Sequence, residues 1–117
     1  MPATARTAAT VRTLPHPAPE ELRLEGVLHA LADPIRLRIV RTLAERRHEN
    51  LACSAFELPV SKSTSTHHFR VLRESGVIRQ HYEGTSCLSR LRRDDLEDRF
   101  PGLLTAVLQA PPSPSGK

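Results

Sequence analysis

The sequence contains little cysteine and no long apolar run. Only two cysteines, Cys53 and Cys87, occur in 117 residues, which is too few for a disulfide framework and favours a reducing compartment. No segment reaches the roughly eighteen consecutive apolar residues that indicate a membrane-spanning helix. The N-terminus carries two arginines but lacks the apolar core of a secretory signal. We therefore expect a cytoplasmic protein that has no contact with a membrane.

Signatures of catalysis are also missing. The sequence has no glycine-rich phosphate loop, no nucleophile elbow and no pair of carboxylates arranged for general acid–base chemistry. The acidic cluster Asp94, Asp95 and Asp98 is typical of a helix start, where the helix dipole favours negative charge. The sequence therefore predicts a protein that is not an enzyme.

Proline-rich segments at both ends bound one predicted domain. Residues 1–19 include four prolines and no continuous apolar stripe, and residues 110–117 read APPSPSGK. Because such segments cannot bury enough apolar surface to offset their ordering entropy, both are predicted to be disordered tails. Residues 20–109 have room for one small domain, whose limited core would gain from burial against a partner subunit.

Basic residues are concentrated in the second half of that domain. Residues 58–93 hold seven Lys and Arg against two Glu, a local net charge of +5, whereas the whole chain carries +4. Such a segment suits a surface that faces a polyanion. From charge alone, an ordinary solvated face is an equally good interpretation.

Apolar spacing, caps and turns predict a mainly α protein with a small β-hairpin. Asp33 and Pro34 are a preferred N-cap and first helical residue, and Gly76 suits a left-handed helix end. The predicted helices cover residues 20–31, 34–44, 53–58 and 62–75 and a last region that starts at 94 and restarts after Pro101. Alternating strands over 77–82 and 86–91 flank a glycine turn. The predicted order, α-α-α-α-β-β-α, is that of a winged helix-turn-helix, an α+β fold.

Three sequence runs resemble the ArsR/SmtB family of bacterial winged-helix repressors. They are LADPIRLRIVRTL at 31–43, SKSTSTHHFRVLRESGVI at 61–78 and the wing YEGT at 82–85. The resemblance implies a homodimer built from the first and last helices. It also implies binding of double-stranded DNA at a pseudo-palindromic operator near a regulated promoter.

The helix at 62–75 is the predicted recognition helix. If Ser65, His68, Phe69 and Leu72 face the core, helical geometry turns the polar and basic residues outward. The outward set is Lys62, Ser63, Thr66, His67 and Arg70. These side chains can donate to guanine, to other base edges or to phosphate in the major groove. Alternatively, the Ser and Thr residues only cap and solvate a helix start.

The predicted wing supplies two further candidates. Arg79 and Arg90 lie on its two strands and are expected to contact phosphate, which positions a protein without specifying sequence. For Arg92 and Arg93 the sequence favours two alternatives equally: contact with DNA, or ion pairs with the acidic run at 94–98. For His68, hydrogen-bonded packing is favoured over a role as a ligand.

The metal sites of the resembling family are not matched. The thiolate site needs a Cys-x-Cys pair near the third helix, and 51–55 contains Cys53 alone. The other site uses Asp, His or Glu on the last helix, and 101–109 has no Asp, Glu, His or Cys. Structural zinc usually requires four ligands at characteristic spacing, which these residues do not offer. We therefore expect no bound metal and no cofactor. The sequence does not identify an effector ligand.

Two alternatives remain beside the plain repressor. Cys53 and Cys87 could form a thiol- or metal-responsive switch, in which a disulfide would distort the DNA-reading surface. The simpler interpretation, two buried thiols that pack as small apolar groups, is favoured. A winged helix used only for protein contact is disfavoured because its exposed helix face would carry apolar or aromatic anchors.

Overall fold

The computed structural model of the protein describes residues 11–47 and 49–111, which form five α-helices and a four-stranded antiparallel sheet. The helices are α1 (Leu24–Leu31), α2 (Pro34–Glu45), α3 (Lys62–Glu74), α4 (Arg93–Arg99) and α5 (Leu103–Gln109). The strands are β1 (Val11–Thr13), β2 (Leu51–Ala52), β3 (Ile78–Glu83) and β4 (Ser86–Leu91). Single 3-10 turns lie at Pro19–Glu21 and Cys53–Ala55. The α+β winged helix-turn-helix architecture predicted from the sequence is confirmed.

The hairpin of β3 and β4 is the centre of the sheet. Its register runs from Ile78 opposite Leu91 to Glu83 opposite Ser86, and Gly84 closes the turn at φ 63°. This left-handed conformation favours glycine and is typical of short hairpin loops. The full strand order is β1-β3-β4-β2, so each strand of the hairpin has a second, shorter neighbour.

The prediction that residues 1–19 form a disordered tail is wrong for residues 11–19. Val11–Thr13 forms β1 and pairs with β3, with Val11 opposite Glu83. After this strand, the Nε2 atom of His16 accepts a hydrogen bond from the backbone N–H of Gln80 at 2.9 Å. Composition could not indicate this order, because the residues that pair with this segment lie about sixty or more positions further along the chain. Residues 1–10 and 112–117 of the two predicted tails lie outside the described residues.

Three predicted helices also differ from the observed ones. The first begins at Leu24 rather than at residue 20, because Leu22 has extended backbone and buries its side chain in the core. The predicted helix at 53–58 is a single 3-10 turn, since the pairing of β2 with β4 holds the start of this segment at the sheet edge. The last region is divided into α4 and α5 around Gly102, which has φ 84°.

The core lies between α1, α2, α3 and one face of the sheet. Its largest fully buried side chains are Leu22, Ile39, Leu43, Leu72 and Ile78. Gly76 ends α3 at φ 88°, and a Cβ atom there would overlap the side chain of Leu22. The close approach of the N-terminal segment to the end of α3 therefore requires glycine.

The outer side of α1 is left without cover in this chain. The sequence predicts one apolar stripe on this helix, and the structure buries only part of it, at Val27 and Leu31. Leu24 and Leu28 are instead 44% and 45% exposed. They are four residues apart and therefore share one face of the helix.

A buried arginine fixes the position of α3. Arg36 on α2 donates from Nε to the Ala30 carbonyl at 2.7 Å and from Nη2 to the His29 carbonyl at 3.3 Å. Its Nη1 atom lies 3.1 Å from Nδ1 of His68, which must accept because a guanidinium can only donate. His68 is 9% exposed and hydrogen-bonded, which agrees with the packing role predicted for it. The guanidinium thus joins the end of α1 to the middle of α3.

Asp33 caps the start of α2 in the predicted way. Its Oδ2 atom accepts hydrogen bonds from the backbone N–H groups of Ile35 at 2.8 Å and Arg36 at 3.1 Å. Burial raises the pKa of the Asp33 carboxyl group, but these hydrogen bonds and the nearby Arg36 guanidinium outweigh it and hold the pKa below its ordinary value. The charged form is therefore the one that the helix end stabilises.

We expect Asp33→Ala to lower the free energy of unfolding by about 1 kcal/mol, because two helix N–H groups lose their acceptor. Asp33→Asn keeps an acceptor oxygen and should cost less. Urea unfolding at neutral pH, followed by circular dichroism, measures both. Equal losses for the Ala and Asn variants would contradict the capping role.

Acidification should weaken the attachment of the N-terminal segment. Burial and the positive charges of Arg79, Arg92 and Arg73 lower the pKa of His16 below 6.5. The contact with Gln80 therefore contributes stability above the unfolded pKa of about 6.5 and loses it as the pH falls through the folded pKa. We expect the hydrogen-exchange protection of the Gln80 amide to fall between pH 7.5 and 5. His16→Gln retains an acceptor that does not titrate, so a fall of the same size in that variant would exclude His16 as the cause.

Candidate nucleic-acid interface

The exposed face of α3 presents polar and basic side chains along most of its length. Ser61 caps the helix and accepts from the Thr64 N–H at 3.2 Å. Phe69, Leu72 and His68 are buried and Ser65 is half-buried, so the predicted inward set is the observed one. The five predicted outward residues are all exposed: Lys62, Ser63, Thr66, His67 and Arg70.

Some hydroxyl groups of this face bond to the helix itself, and others remain available to a ligand. Ser61 serves the helix end, as the capping interpretation of this Ser/Thr-rich start requires. Thr66 donates its hydroxyl proton to the Lys62 carbonyl at 3.0 Å, which leaves its oxygen lone pairs directed away from the helix as acceptors. Ser63 lies 3.3 Å from the Ser61 hydroxyl and is exposed. Thr64 is exposed as well, although the sequence pattern did not select it.

A groove of about 890 Å³ separates α3 from the sheet. Lys62, Arg70 and Arg73 of α3 line one side, and no carboxylate lines any part of it. Tyr82 lies on the sheet side and Phe69 lies at the base of α3. The groove is therefore a cationic cleft next to the exposed face of the helix, and it suits an anionic partner.

Beneath the groove, a polar connection runs from α3 into the sheet. Arg73 donates from Nη1 to Oε1 of Gln80 at 2.9 Å, and Nε2 of Gln80 donates to the Ser89 hydroxyl at 3.0 Å. Gln80 and Ser89 are 3% and 0% exposed. Sequence reasoning missed this pair, although a Gln at an inward position of an alternating strand was a visible signal.

The two wing arginines lie apart from α3. Arg79 and Arg90 are directly opposite each other in the hairpin register. Successive side chains alternate across a strand, so they lie on the face opposite to Gln80. Arg79 is half-exposed and lies 3.5 Å from Asp95, and both arginines line a separate cleft of about 380 Å³ with Arg93. The structure therefore divides the predicted contact residues into a helix group and a wing group.

Arg92 and Arg93 have different environments. The Arg92 side chain is fully buried, with Nε donating to Asp95 at 3.0 Å and Nη1 to the Pro17 carbonyl at 2.9 Å. Arg92 therefore pairs with the acidic run at 94–98, which is one of the two roles predicted for it. Arg93 donates to the Ala44 carbonyl at 3.3 Å. Arg92 is therefore a structural residue.

The two cysteines are brought together at the sheet edge. The register of β2 and β4 pairs Leu51 with Ser89 and Ala52 with Leu88, so Cys53 comes next to Cys87. Both thiols are free and half-buried. Burial, the adjacent Cys87 and a hydrogen bond to its side chain raise the pKa of Cys53 to about 12.

The described residues contain no group of metal-ligating side chains and no helix that could cross a membrane. The described ranges, 11–47 and 49–111, do not bring three or more His, Cys, Asp or Glu side chains into one metal-binding group. None of the helices in those ranges combines the length and apolarity that crossing a bilayer requires.

Comparisons with known proteins agree with this geometry. Residues 31–81 match the model of a family described as a helix-turn-helix domain. One relative is an uncharacterized HTH-type transcriptional regulator, YceK, of Bacillus subtilis (strain 168). It is 32% identical over 83 residues, which cover 69% of this chain and 82% of the relative.

A second relative comes from an archaeon. The uncharacterized HTH-type transcriptional regulator MJ1325 of Methanocaldococcus jannaschii (strain ATCC 43067 / DSM 2661 / JAL-1 / JCM 10045 / NBRC 100440) is 32% identical over 59 residues. These cover 50% of this chain and 66% of that protein. The matched family model includes α2 and α3 and extends into β3. The chain therefore belongs to the family of helix-turn-helix transcriptional regulators, which are DNA-binding proteins and not enzymes.

Proposed function

We propose that the protein is a homodimeric repressor of the ArsR/SmtB type that lacks the usual metal sites of that family. It binds a pseudo-palindromic operator, with α3 of each subunit in the major groove. The observation that carries this proposal is the exposed face of α3, where five polar or basic side chains project from a helix whose other side is anchored in the core. A helix held in this way can present its side chains to base edges in a fixed orientation.

Within that face, we assign base reading to the first three turns of α3. Lys62 and Arg70 can donate to guanine, and the free acceptor of Thr66 can take a hydrogen bond from an adenine or cytosine amino group. Ser63 and His67 complete the surface. The short hydroxyl side chains allow the helix to lie deep in the groove, and the cationic cleft beside it attracts the phosphate backbone.

The wing group has a different proposed role. Arg79 and Arg90 lie on the far face of the hairpin from α3, so they are poorly placed to read the same bases as the helix. We assign them to phosphates that flank the site, where contacts add affinity and orientation without sequence preference. The carboxylate of Asp95 limits this role more for Arg79 than for Arg90.

The outer face of α1 supports the proposed dimer. Leu24 and Leu28 expose nearly half of their surface on one side of a helix whose other side is buried. On α5, Leu103, Val107 and Leu108 are only half-buried. Two copies that cover these surfaces through a two-fold axis would also place two α3 helices in symmetry-related positions, as a palindromic site requires.

We expect Lys62→Gln and Arg70→Gln each to weaken binding to the native upstream duplex by about 1–3 kcal/mol, roughly tenfold to a hundredfold, because each removes a donor at the reading surface. Arg79→Gln should weaken native and scrambled duplexes alike and reduce the salt slope by about one. Fluorescence anisotropy at two salt concentrations measures both effects.

The wild-type protein should prefer its native duplex by about a thousandfold or more. Arg38→Gln is the matched control, because Arg38 is an exposed arginine on α2 and its loss changes the charge equally. If Arg38→Gln weakens binding as much as Arg70→Gln, the effect is one of net charge and the assignment of α3 fails. Equal affinity of the wild type for native and scrambled duplexes would contradict a sequence-specific regulator.

We expect Leu28→Glu to convert the dimer into a monomer, because it places a charge at the centre of the exposed stripe on α1. Sedimentation equilibrium would show the mass falling by half, and binding to a two-half-site duplex would fall with it. Leu28→Met conserves the apolar surface and should remain dimeric. A Leu28→Glu protein that is still dimeric at the same concentration would place the interface elsewhere.

A further inference from the structure

Cys53 and Cys87 lie across from each other on neighbouring segments of the chain. The antiparallel pairing of β2 with β4 ends with Ala52 opposite Leu88, and Cys53 and Cys87 are the next residues on the two segments. The directly opposed Ala52 and Leu88 that end this ladder have Cα atoms about 4.5–5.5 Å apart. The two cysteines that follow them therefore start from a separation close to the range that a disulfide bridges. The Cys53 thiol is already hydrogen-bonded to the Cys87 side chain.

These thiols are the end of the polar connection that starts on α3. The Ser89 hydroxyl, which accepts from Gln80, is also hydrogen-bonded to the sulfur of Cys53. The connection therefore runs from Arg73 through Gln80 and Ser89 to Cys53 and Cys87. No other route of direct side-chain hydrogen bonds joins α3 to the sheet in the described part of the chain.

Small molecules have access to the pair. Both cysteines line the groove between α3 and the sheet, and each is half-buried rather than enclosed. Lys62 and Arg70 line the same groove, which has no carboxylate in its lining. A neutral oxidant can therefore reach the sulfur atoms.

We propose that Cys53 and Cys87 form a modification site at which a peroxide oxidises the two thiols to an intramolecular disulfide. This site controls how the wing, defined here as β3, β4 and their turn, is held against the segment that leads into α3. Its effect on DNA rests on the proposed function, whereas the chemistry of the site does not.

The reaction balances with one peroxide. The sulfur of Cys87 attacks one peroxide oxygen. The O–O bond breaks, and with the thiol proton this releases one water and leaves a sulfenic acid. The sulfur of Cys53 then attacks the sulfenic sulfur, its proton leaves with the hydroxyl group as a second water, and the S–S bond forms. Two thiols are oxidised by two electrons, and the peroxide is reduced to two waters.

The order of attack follows from the surroundings of Cys53. Burial, and to a smaller extent the neighbouring Cys87, raises the pKa of Cys53 to about 12, so Cys53 is the less reactive thiol and acts second, on the sulfenic acid.

The disulfide would fix the wing with little movement. Because the two thiols are already hydrogen-bonded neighbours, we infer a restraint on the wing rather than the larger distortion of the reading surface that the sequence alone suggested. It adds a covalent link between β4 and the turn at Cys53–Ala55, from which the chain passes to Ser61 and α3. The wing then loses the freedom to adjust to a duplex independently of the helix.

The test begins with reduced wild-type protein and stoichiometric hydrogen peroxide. Intact-mass spectrometry should show a loss of two mass units, reversed by dithiothreitol, and the melting temperature should rise by about 10 °C because a long loop is closed. We expect the oxidised protein to bind its native duplex at least threefold more weakly. Cys53→Ser, Cys87→Ser and the double variant should show neither the mass loss nor a peroxide-dependent change in affinity.

The two proposals fail in different ways. A gain of oxygen mass without the loss of two units, or disulfide-linked dimers on a non-reducing gel, would overturn the intramolecular site. A disulfide that forms but leaves affinity for the native duplex unchanged would overturn its control of the wing. Reduced wild-type protein that does not distinguish native from scrambled DNA would contradict the proposed function, while the mass measurement would still decide the chemistry.

Discussion

The orientation of α3 depends on one buried guanidinium. Arg36 is only 8% exposed, and a charge at such a depth is tolerated because carbonyl oxygens at the end of α1 and the imidazole of His68 accept its hydrogen bonds. Three helices therefore meet at a single side chain. Because these bonds hold α3 from its inner face, the residues on the outer face are not needed for folding, and their chemistry is available for contact with a ligand.

The alternation of the hairpin separates two kinds of surface. Inward positions of β3 and β4 carry Gln80 and Ser89, which connect to α3, whereas outward positions carry Arg79 and Arg90. One strand thus supports α3 with one face and offers positive charge to the surroundings with the other. A shift of one residue in register would exchange these roles, so the pairing that begins at the Gly84 turn determines both.

Features set by neighbouring residues could be predicted from the sequence, and features set by distant pairing could not. The cap at Asp33, the hairpin turn and the inward and outward sides of α3 each follow from spacing over a few residues. The strand at Val11–Thr13 and the short turn at Cys53–Ala55 depend on partners far along the chain. The same is true of the site: the exposed face of α3 was predictable, whereas the contact of Cys53 with Cys87 and the position of Arg79 beside Asp95 required the sheet register.

The two short outer strands also bear on the solubility of the fold. A hairpin with free sides presents rows of unpaired backbone groups to which another chain can add. Within residues 11–47 and 49–111, β1 and β2 occupy both sides of the hairpin with three and two residues, so neither offers a long template there. A regulator that must stay dispersed while it searches a genome thus has a wing with little tendency to recruit further strands and form aggregates.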